Sequence, residues 1–399
     1  MPKRRARRKR RHTVLRAVLA TTLTLVIVTG MAVTFLFRQL SDNITGLDNV
    51  DEILGDRPDK ITAADEPHDA LNILLIGSDK EDGGKSRSDT TIILHLSANR
   101  EFAYGVSLPR DAIVDRPDCR DSDLETIPGA DEVMFNTAYS EGGPLCTQET
   151  VEELTGIYVD AVVEMDFGGF EDMVDAIGGV EVCLTEPIEE SRYNKALPKS
   201  GTFTADGEEA LIYVRERHQL SINGDIGRMK RQQAFLASLA NKVVSAETLT
   251  SPTAVYDFLD ATTRSMTITE EYASVGRLAD LGLQFNGIGV DNIQFITVPN
   301  EEWEVDPNRL IWTEDADDLW ELIRTDQPLS GEFLEGAITA EESGGSISTG
   351  DASGTPETST TDDATTDPTD DGTEDEATDE NPVEGLTPED VARQNGLCS

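Results

Sequence analysis

The chain has 399 residues with 33 Lys and Arg against 77 Asp and Glu, a formal net charge of -44 that excludes a general nucleic-acid-binding role. Four cysteines without a Cys-x-x-Cys pair, and only four histidines, exclude the common zinc motifs. The length would hold two average domains, but segments at both ends must be set aside before any fold is argued.

Residues 1–16 are strongly basic, and residues 17–37 are an uncharged apolar run. About 20 such residues span a bilayer core. A cleaved signal peptide has a shorter apolar region ending in small residues, whereas this run ends in Phe35-Leu36-Phe37-Arg38. The pattern therefore predicts one membrane helix with a cytoplasmic N-terminus, by the positive-inside bias, and everything after Leu40 outside. Residues 38–67 read as a linker.

Leu71 to Asp79 is a continuous apolar run closed by a turn, as a strand buried on both faces reads, and Arg87 to Leu96 is a second strand. If the two pair antiparallel, Asp79 and Asp89 share one sheet edge, where like charges repel unless a cation lies between them. With oxygen donors and no His or Cys beside them, the cation expected is Mg2+. The alternative is that both are turn or cap residues. Phe102 to Leu108 is a third strand, closed by Pro109-Arg110-Asp111; residues 117–133 read as a loop; and a helix is expected over Thr147 to Thr155. Strand Ala161 to Asp166, helix Phe167 to Ile177 and strand Val180 to Leu184 follow, a rhythm that argues for an α/β layered domain.

Chemistry concentrates in residues 208–233. If the first half is a strand, Leu211, Tyr213, Arg215 and Arg217 share a face and two guanidinium groups leave its end together. A helix starting near Asp225 puts Asp225, Arg228 and Gln232 on the arc that Leu236, Leu239 and Val243 continue. An inward-facing charged turn is costly unless it is paired or ligated, which points to a site; the plainer reading is a solvated helix start tied into ion pairs. Helices are expected to about 247 and over 251–285, then a strand from Asn292 to Val298 and a helix near 315–325. No internal repeat is present, so residues 68–330 count as one globular domain.

Residues 331–399 read as an acidic low-complexity tail. Its stretch from Glu341 to Pro382 is too poor in apolar residues to fold, and a short helix follows with Thr387 as N-cap and Gly396 closing it. Outside the membrane, disulfides are expected. Cys119 and Cys146, both in loop or loop-edge sequence, are paired; Cys183, in an apolar strand, is either a buried thiol or the partner of Cys398.

Several motifs in order resemble the LytR-CpsA-Psr family of cell-wall glycopolymer ligases. They are Asn72 to Asp79, Arg87-Ser-Asp89-Thr, Ser107-Leu-Pro-Arg110-Asp, Phe135-Asn136-Thr-Ala-Tyr139, Asp166 to Val180, Val214-Arg215-Glu-Arg217-His, Asp225-Ile-Gly-Arg228 and Arg231-Gln232-Gln233. The resemblance implies a three-layer α-β-α sandwich with a central mixed sheet and an apolar tunnel between sheet and helices. It implies transfer of an anionic glycopolymer, such as teichoic acid or arabinogalactan, from a polyprenyl pyrophosphate carrier to a peptidoglycan acceptor. Asp79 and Asp89 would hold Mg2+; Arg87, Arg110, Arg215, Arg217, Arg228 and Gln232 would grip the pyrophosphate; Asp225 would take the acceptor proton, with Arg110 and Arg217 at the reacting phosphate. One position departs from the pattern, since Met134 stands where family members commonly carry Lys. Two other readings fit the same residues, a weakly catalytic lipid-pyrophosphate-binding scaffold of envelope assembly and a polyprenyl pyrophosphate phosphatase.

Overall fold

In the computed structural model, the apolar runs lie side by side in one eight-stranded mixed sheet. The structure describes residues 3–62, 66, 68–79, 86–121, 123–191, 195–220, 224–244, 251–334, 336–340 and 392–398. In chain order the elements are helix α1 (Lys3–Asn43), β1 (Thr45–Leu47), α2 (Val50–Leu54), β2 (Leu71–Asp79), β3 (Arg87–Leu96), β4 (Ala103–Ser107), β5 (Ile113–Arg116), β6 (Cys119–Arg120), β7 (Thr126–Ile127), β8 (Ala130–Met134) and α3 (Thr137–Thr155). There follow β9 (Ala161–Asp166), α4 (Phe167–Ala176), β10 (Val180–Leu184), β11 (Gly201–Ala205), α5 (Gly207–Arg215), α6 (Asp225–Val244), α7 (Pro252–Ser265) and β12 (Met266–Thr269). Last come α8 (Val275–Ile288), β13 (Ile293–Thr297), β14 (Asn300–Trp303), β15 (Asp306–Trp312), α9 (Asp315–Arg324) and β16 (Ile338–Thr339).

The sheet order is β1-β12-β9-β2-β3-β4-β13-β16. Strand β2 pairs antiparallel with β3 and parallel with β9, and β4 pairs parallel with β13. Because successive strand side chains face opposite ways, Leu74 and Ile76 pack with Val151 of α3 and Leu319, Trp320 and Ile323 of α9. Ile73, Leu94 and Phe295 pack on the other face against Ala234 and Ala237 of α6 and Leu281 of α8. This is the expected α-β-α sandwich. Gly105 lets it close: a Cβ there would lie 2.7 Å from the Phe295 ring. Beside it, the β10–β11 hairpin forms a third cluster with α4 and α5.

Several readings of the sequence change. Residues 208–215 are a helix, not a strand, because Asp206 and Glu209 form a capping box that starts α5. Tyr213 is consequently buried among Ala210 and Ile212, while Leu211 faces a cavity. Helix α3 starts at Thr137, with non-helical backbone at Gly143 (φ 70°) where Pro144 restarts it. The 117–133 loop carries the β6–β7 hairpin, and β8 pairs with β5. The 251–285 helix is interrupted by β12, whose edge is covered by β1. Residues 45–54, read as linker, are therefore part of the fold, and α2 buries Ile53 and Leu54 against Leu145.

The far end changes too. β16 extends the main sheet, and residues 392–398 return to it, with Ala392 and Leu397 in the core and Cys398 bonded to Cys183. Cys119 and Cys146 are bonded as expected. Gly396 does close its turn, at φ 71°. The expectations for Glu341 to Pro382 and for Thr387 fall outside the described residues. At the N-terminus, Leu15–Asn43 of α1 is long and apolar enough to cross a membrane; its apolar stretch is unburied, and its last turns pack on the domain, where Leu40 is buried and Asn43 Nδ2 donates to Asp260 Oδ1 at 3.1 Å.

Candidate functional site: an arginine–carboxylate network between two cavities

Where β2 ends and β3 begins, the pairing steps from Gly77–Thr90 to Ser78–Ser88, so Asp89 is the extra residue of a bulge. A bulge re-aims the side chain it displaces. Asp89 Oδ1 is ion-paired with Nη1 of Arg110, which follows β4, and lies 3.8 Å from Nη1 of Arg228. Asp225, opening α6, has Oδ1 2.8 Å from Arg228 Nη2 and 3.5 Å from Arg110 Nε. Two guanidinium groups thus interleave with two carboxylates. Arg228 is 2% exposed, and burial pulls its pKa down against the pull of Asp225. For Arg110 burial acts in the same sense, but Asp225, Asp89 and Asp111 outweigh it and the pKa is raised. Among the described residues the buried Nε atoms of both arginines have no hydrogen-bond partner, and a bound anion would satisfy them.

On one side of this network lies an apolar cavity of about 220 Å³ between β2, β3 and β9 and helices α4, α5 and α6, walled by residues such as Leu75, Val163, Phe170, Leu211, Phe235 and Leu239. Asp89, Arg215 and Gln232 also line it. Gln232 Nε2 donates to the Val214 carbonyl at 3.1 Å, and the Arg215 guanidinium sits 4.4 Å from the centre of the Phe167 ring. On the other side a polar cavity of about 450 Å³ is lined by Arg87, Arg110, Asp111, Met134, Asn136, Thr137, Ser140, Arg217 and Arg309. The Asp89–Arg110 ion pair joins the two.

Arg215 and Arg217 therefore do not leave one strand end together. They flank Glu216, whose Oε1 accepts from the backbone N–H groups of Arg217, His218 and Gln219 at 2.8, 2.5 and 3.0 Å and so fixes the turn after α5. Each arginine goes to a different cavity. Arg87, Arg110, Arg217, Asp89, Asp225, Arg228 and Gln232 are brought to one region. Asp79 sits at the end of β2, its Oδ1 accepting from the Arg87 N–H at 2.5 Å. Beneath that strand end, Ser78 and Tyr139 both donate to Glu164 Oε1. Burial and then the Glu164 bond raise the Tyr139 pKa, which keeps the phenol a donor. Sequence reasoning missed Arg309 and the role of Asp111, whose Oδ1 is 3.2 Å from Arg309 Nη1. No sequence signal ties that hairpin to Arg110, since only the Asp306-Pro307-Asn308 turn is legible.

Among the described residues no group of three or more His, Cys, Asp or Glu is placed to hold a metal. Two carboxylates on adjacent strand ends still fit Mg2+, which commonly takes one or two carboxylates and completes its shell with water and substrate phosphate.

Comparison with known proteins fits this geometry. A match to the LytR_cpsA_psr family covers residues 36–325. The chain is 31% identical over 264 residues to the cell wall biosynthesis protein LcpA of Corynebacterium glutamicum, covering 58% of this chain and 50% of that protein. It is 30% identical over 261 residues to the polyisoprenyl-teichoic acid–peptidoglycan teichoic acid transferase TagU of Oceanobacillus iheyensis, covering 62% of this chain and 77% of that one. The chain thus spans about half the length of the corynebacterial relative. A solved structure of TagT bound to LI-WTA aligns with a TM-score of 0.52 at 25% identity over 68% of this chain and 96% of that one. A LytR-Csp2A-Psr enzyme from Actinomyces oris, at 19% identity over 70% of this chain and 95% of that one and a TM-score of 0.54, shares the fold. With a family match running from the end of the apolar helix to the last helix of the sandwich, the chain belongs to the LytR_cpsA_psr family.

Proposed function

We propose that the chain transfers an anionic glycopolymer, such as teichoic acid or arabinogalactan, from a polyprenyl pyrophosphate carrier to peptidoglycan. The observation that carries this reading is the Asp89–Arg110 pair, which joins an apolar cavity to a cationic one. A lipid pyrophosphate glycan has that order of chemistry along its length: hydrocarbon, two phosphates, sugar. The prenyl chain enters among Phe170, Leu211 and Phe235, and the sugar lies toward Asn136 and Ser140. The names of TagU and TagT bound to LI-WTA, proteins similar to this one, support the same substrate class.

An acceptor hydroxyl attacks the phosphorus next to the sugar. A P–O bond to the acceptor forms, the bridging P–O bond of the pyrophosphate breaks, and lipid phosphate leaves with the bond electrons. Arg110, Arg217 and Arg228 balance the charge on the phosphate oxygens, with Arg87 beside them; Arg215 and Gln232 hold the phosphate nearer the lipid. As the phosphates take up the guanidinium donors, Asp225 is freed from Arg110 and receives the acceptor proton. Asp79 and Asp89 would hold Mg2+, which neutralises phosphate charge when bound. Helix α1 anchors the protein with residues 1–16 in the cytoplasm and the domain outside, beside its lipid substrate.

The test uses full-length protein in liposomes, a short-chain lipid pyrophosphate oligosaccharide and peptidoglycan fragments. A phosphodiester-linked product is expected. Release of free glycan phosphate would make the protein a phosphatase, and tight binding without turnover would make it a scaffold.

A further inference from the structure

The polar cavity holds a cation that the motifs around Arg110 and Arg217 do not account for. Arg309, on β15, lines it with its side chain 31% exposed. The β14–β15 hairpin is fixed to the site by a backbone bridge between Leu310 and Ala112, two residues after Arg110. Asp111 holds the side chain: its Oδ1 is 3.2 Å from Arg309 Nη1, and its Oδ2 is 3.5 Å from Arg110 Nε. One carboxylate therefore sets two guanidinium groups beside each other. The remaining carboxylate near Arg309, Asp306 Oδ2, is 3.8 Å from its Nε, too far for a hydrogen bond, and Nη2 donates to no group among the described residues.

The cavity's lining has four arginines against one aspartate, an excess of three positive charges in a chain of net charge -44. The wall from β8 and α3 adds none, because Met134, Asn136, Thr137 and Ser140 are neutral. Arg87, Arg110 and Arg217 are used by the pyrophosphate. Arg309 is left with free donors on the glycan side.

We propose that Arg309 is a substrate-binding residue that recognises an anionic group, phosphate or carboxylate, carried by the glycan beyond the pyrophosphate. The proposal rests on the transferase reading for the orientation of the substrate. With Nη1 held by Asp111, the guanidinium's Nε–Nη2 edge is left to pair with either anion through parallel hydrogen bonds, and a neutral sugar gains far less from it. Arg309 thus selects which polymers are transferred.

The experiment compares wild type, Arg309→Gln and Arg309→Lys, all full-length in detergent. Three lipid pyrophosphate disaccharides serve as probes: neutral, phosphate-bearing and uronate-bearing. Binding is read by calorimetry and transfer by kcat/KM. Arg309→Gln should weaken binding and kcat/KM for at least one charged probe about tenfold, and change the neutral probe less than twofold. Which charged probe responds identifies the source of the anion. Arg309→Lys keeps the charge but loses the planar fork, so it should recover part of the binding of that probe. An equal loss for neutral and charged probes, or no loss for either charged one, would overturn the proposal. Binding needs no turnover, so the two readings can fail separately: charge selection without transfer sinks the transferase, and transfer without charge selection sinks Arg309.

Discussion

Arg231 donates through Nη1 to the carbonyl of Asn395 at 3.0 Å, joining the helix of the site to the C-terminus across 164 residues. Its Nη2 donates to the carbonyl of Glu216, the residue that turns the chain into Arg217. The guanidinium is fully buried, and burial pulls its pKa down to about 10. Gly396 fits against it only without a side chain, since a Cβ would come 2.7 Å from the Leu220 carbonyl and 3.0 Å from Arg231 Nη1. Removing residues 392–399 should therefore destabilise the domain in two ways. It exposes a buried cation to a lost partner, costing about 1–3 kcal/mol, and it opens the Cys183–Cys398 link, worth up to about 5 kcal/mol for so long a loop in the chain-entropy model. Cys398→Ser should show the second loss alone. Urea unfolding with and without reductant measures both, and unchanged midpoints would mean that the C-terminal turn is only resting on the domain.

A second prediction concerns Glu149 on α3. Burial raises its pKa to about 7 against the lowering effect of Arg120, with Glu152, Glu153 and Asp118 adding to the rise, and its Oε2 has no hydrogen-bond partner among the described residues. A carboxyl whose folded pKa exceeds the unfolded value contributes stability that is complete below about pH 4.5 and is lost as pH rises toward 7. Glu149→Gln removes that loss. The variant should match wild type at pH 4 and be more stable at pH 8 by about 1 kcal/mol, the figure already discounted for a half-exposed group. Thermal melts at the two pH values check it, and a gain of the same size at both would mean that packing rather than titration is responsible.

The metal prediction separates two roles of Asp89. As partner of Arg110 it holds the network together, and with Asp79 it would supply the donors for Mg2+. Asp79 accepts only a backbone N–H among the described residues, so Asp79→Asn should leave the ion pairs in place. Its kcat should fall about 100-fold and require more Mg2+ for half-maximal rate. Asp89→Asn should lose activity at least as far, with a shift in melting because Arg110 and Arg228 lose a counter-charge. Wild-type rates in excess chelator would remove the metal from the proposal.

The sequence made the chemistry legible where it is local and left it hidden where distant segments meet. The place of Asp79 and Asp89 at one edge of the sheet is readable because an antiparallel pair of apolar runs can bring those two ends together in only one way. Arg228 and Gln232 were readable because helical spacing places them on the arc of Leu236 and Leu239. Residues 208–215 were misread because Leu211, Tyr213 and Arg215 alternate like a strand, while the signal that decided the matter, the Asp206–Glu209 capping box, lies at the segment's edge. Arg309 and Asn395 reach the site through pairings to Ala112 and Arg231 that no spacing encodes.

The last prediction separates the two arginines that flank Glu216. Arg217 lines the polar cavity together with Arg110, and its Nε donates to the neighbouring His218 ring at 3.2 Å. Arg215 stacks on Phe167 at the apolar cavity, exposed and without a carboxylate partner among the described residues. On the proposed transfer, charge that develops on the transferred phosphate would be met by Arg217, and the phosphate nearer the lipid by Arg215. Arg217→Lys keeps the charge but loses the planar fork, so kcat should fall about 10- to 100-fold with little change in KM. Arg215→Lys loses the stacking and a binding contact that is alike in ground and transition states, so KM should rise several-fold with kcat nearly unchanged. Melting temperatures should stay close to wild type for both, since neither side chain is buried in an ion pair. Equal effects of the two variants on kcat and KM would mean that both arginines grip the same phosphate, and the division of the substrate between the two cavities would have to be given up.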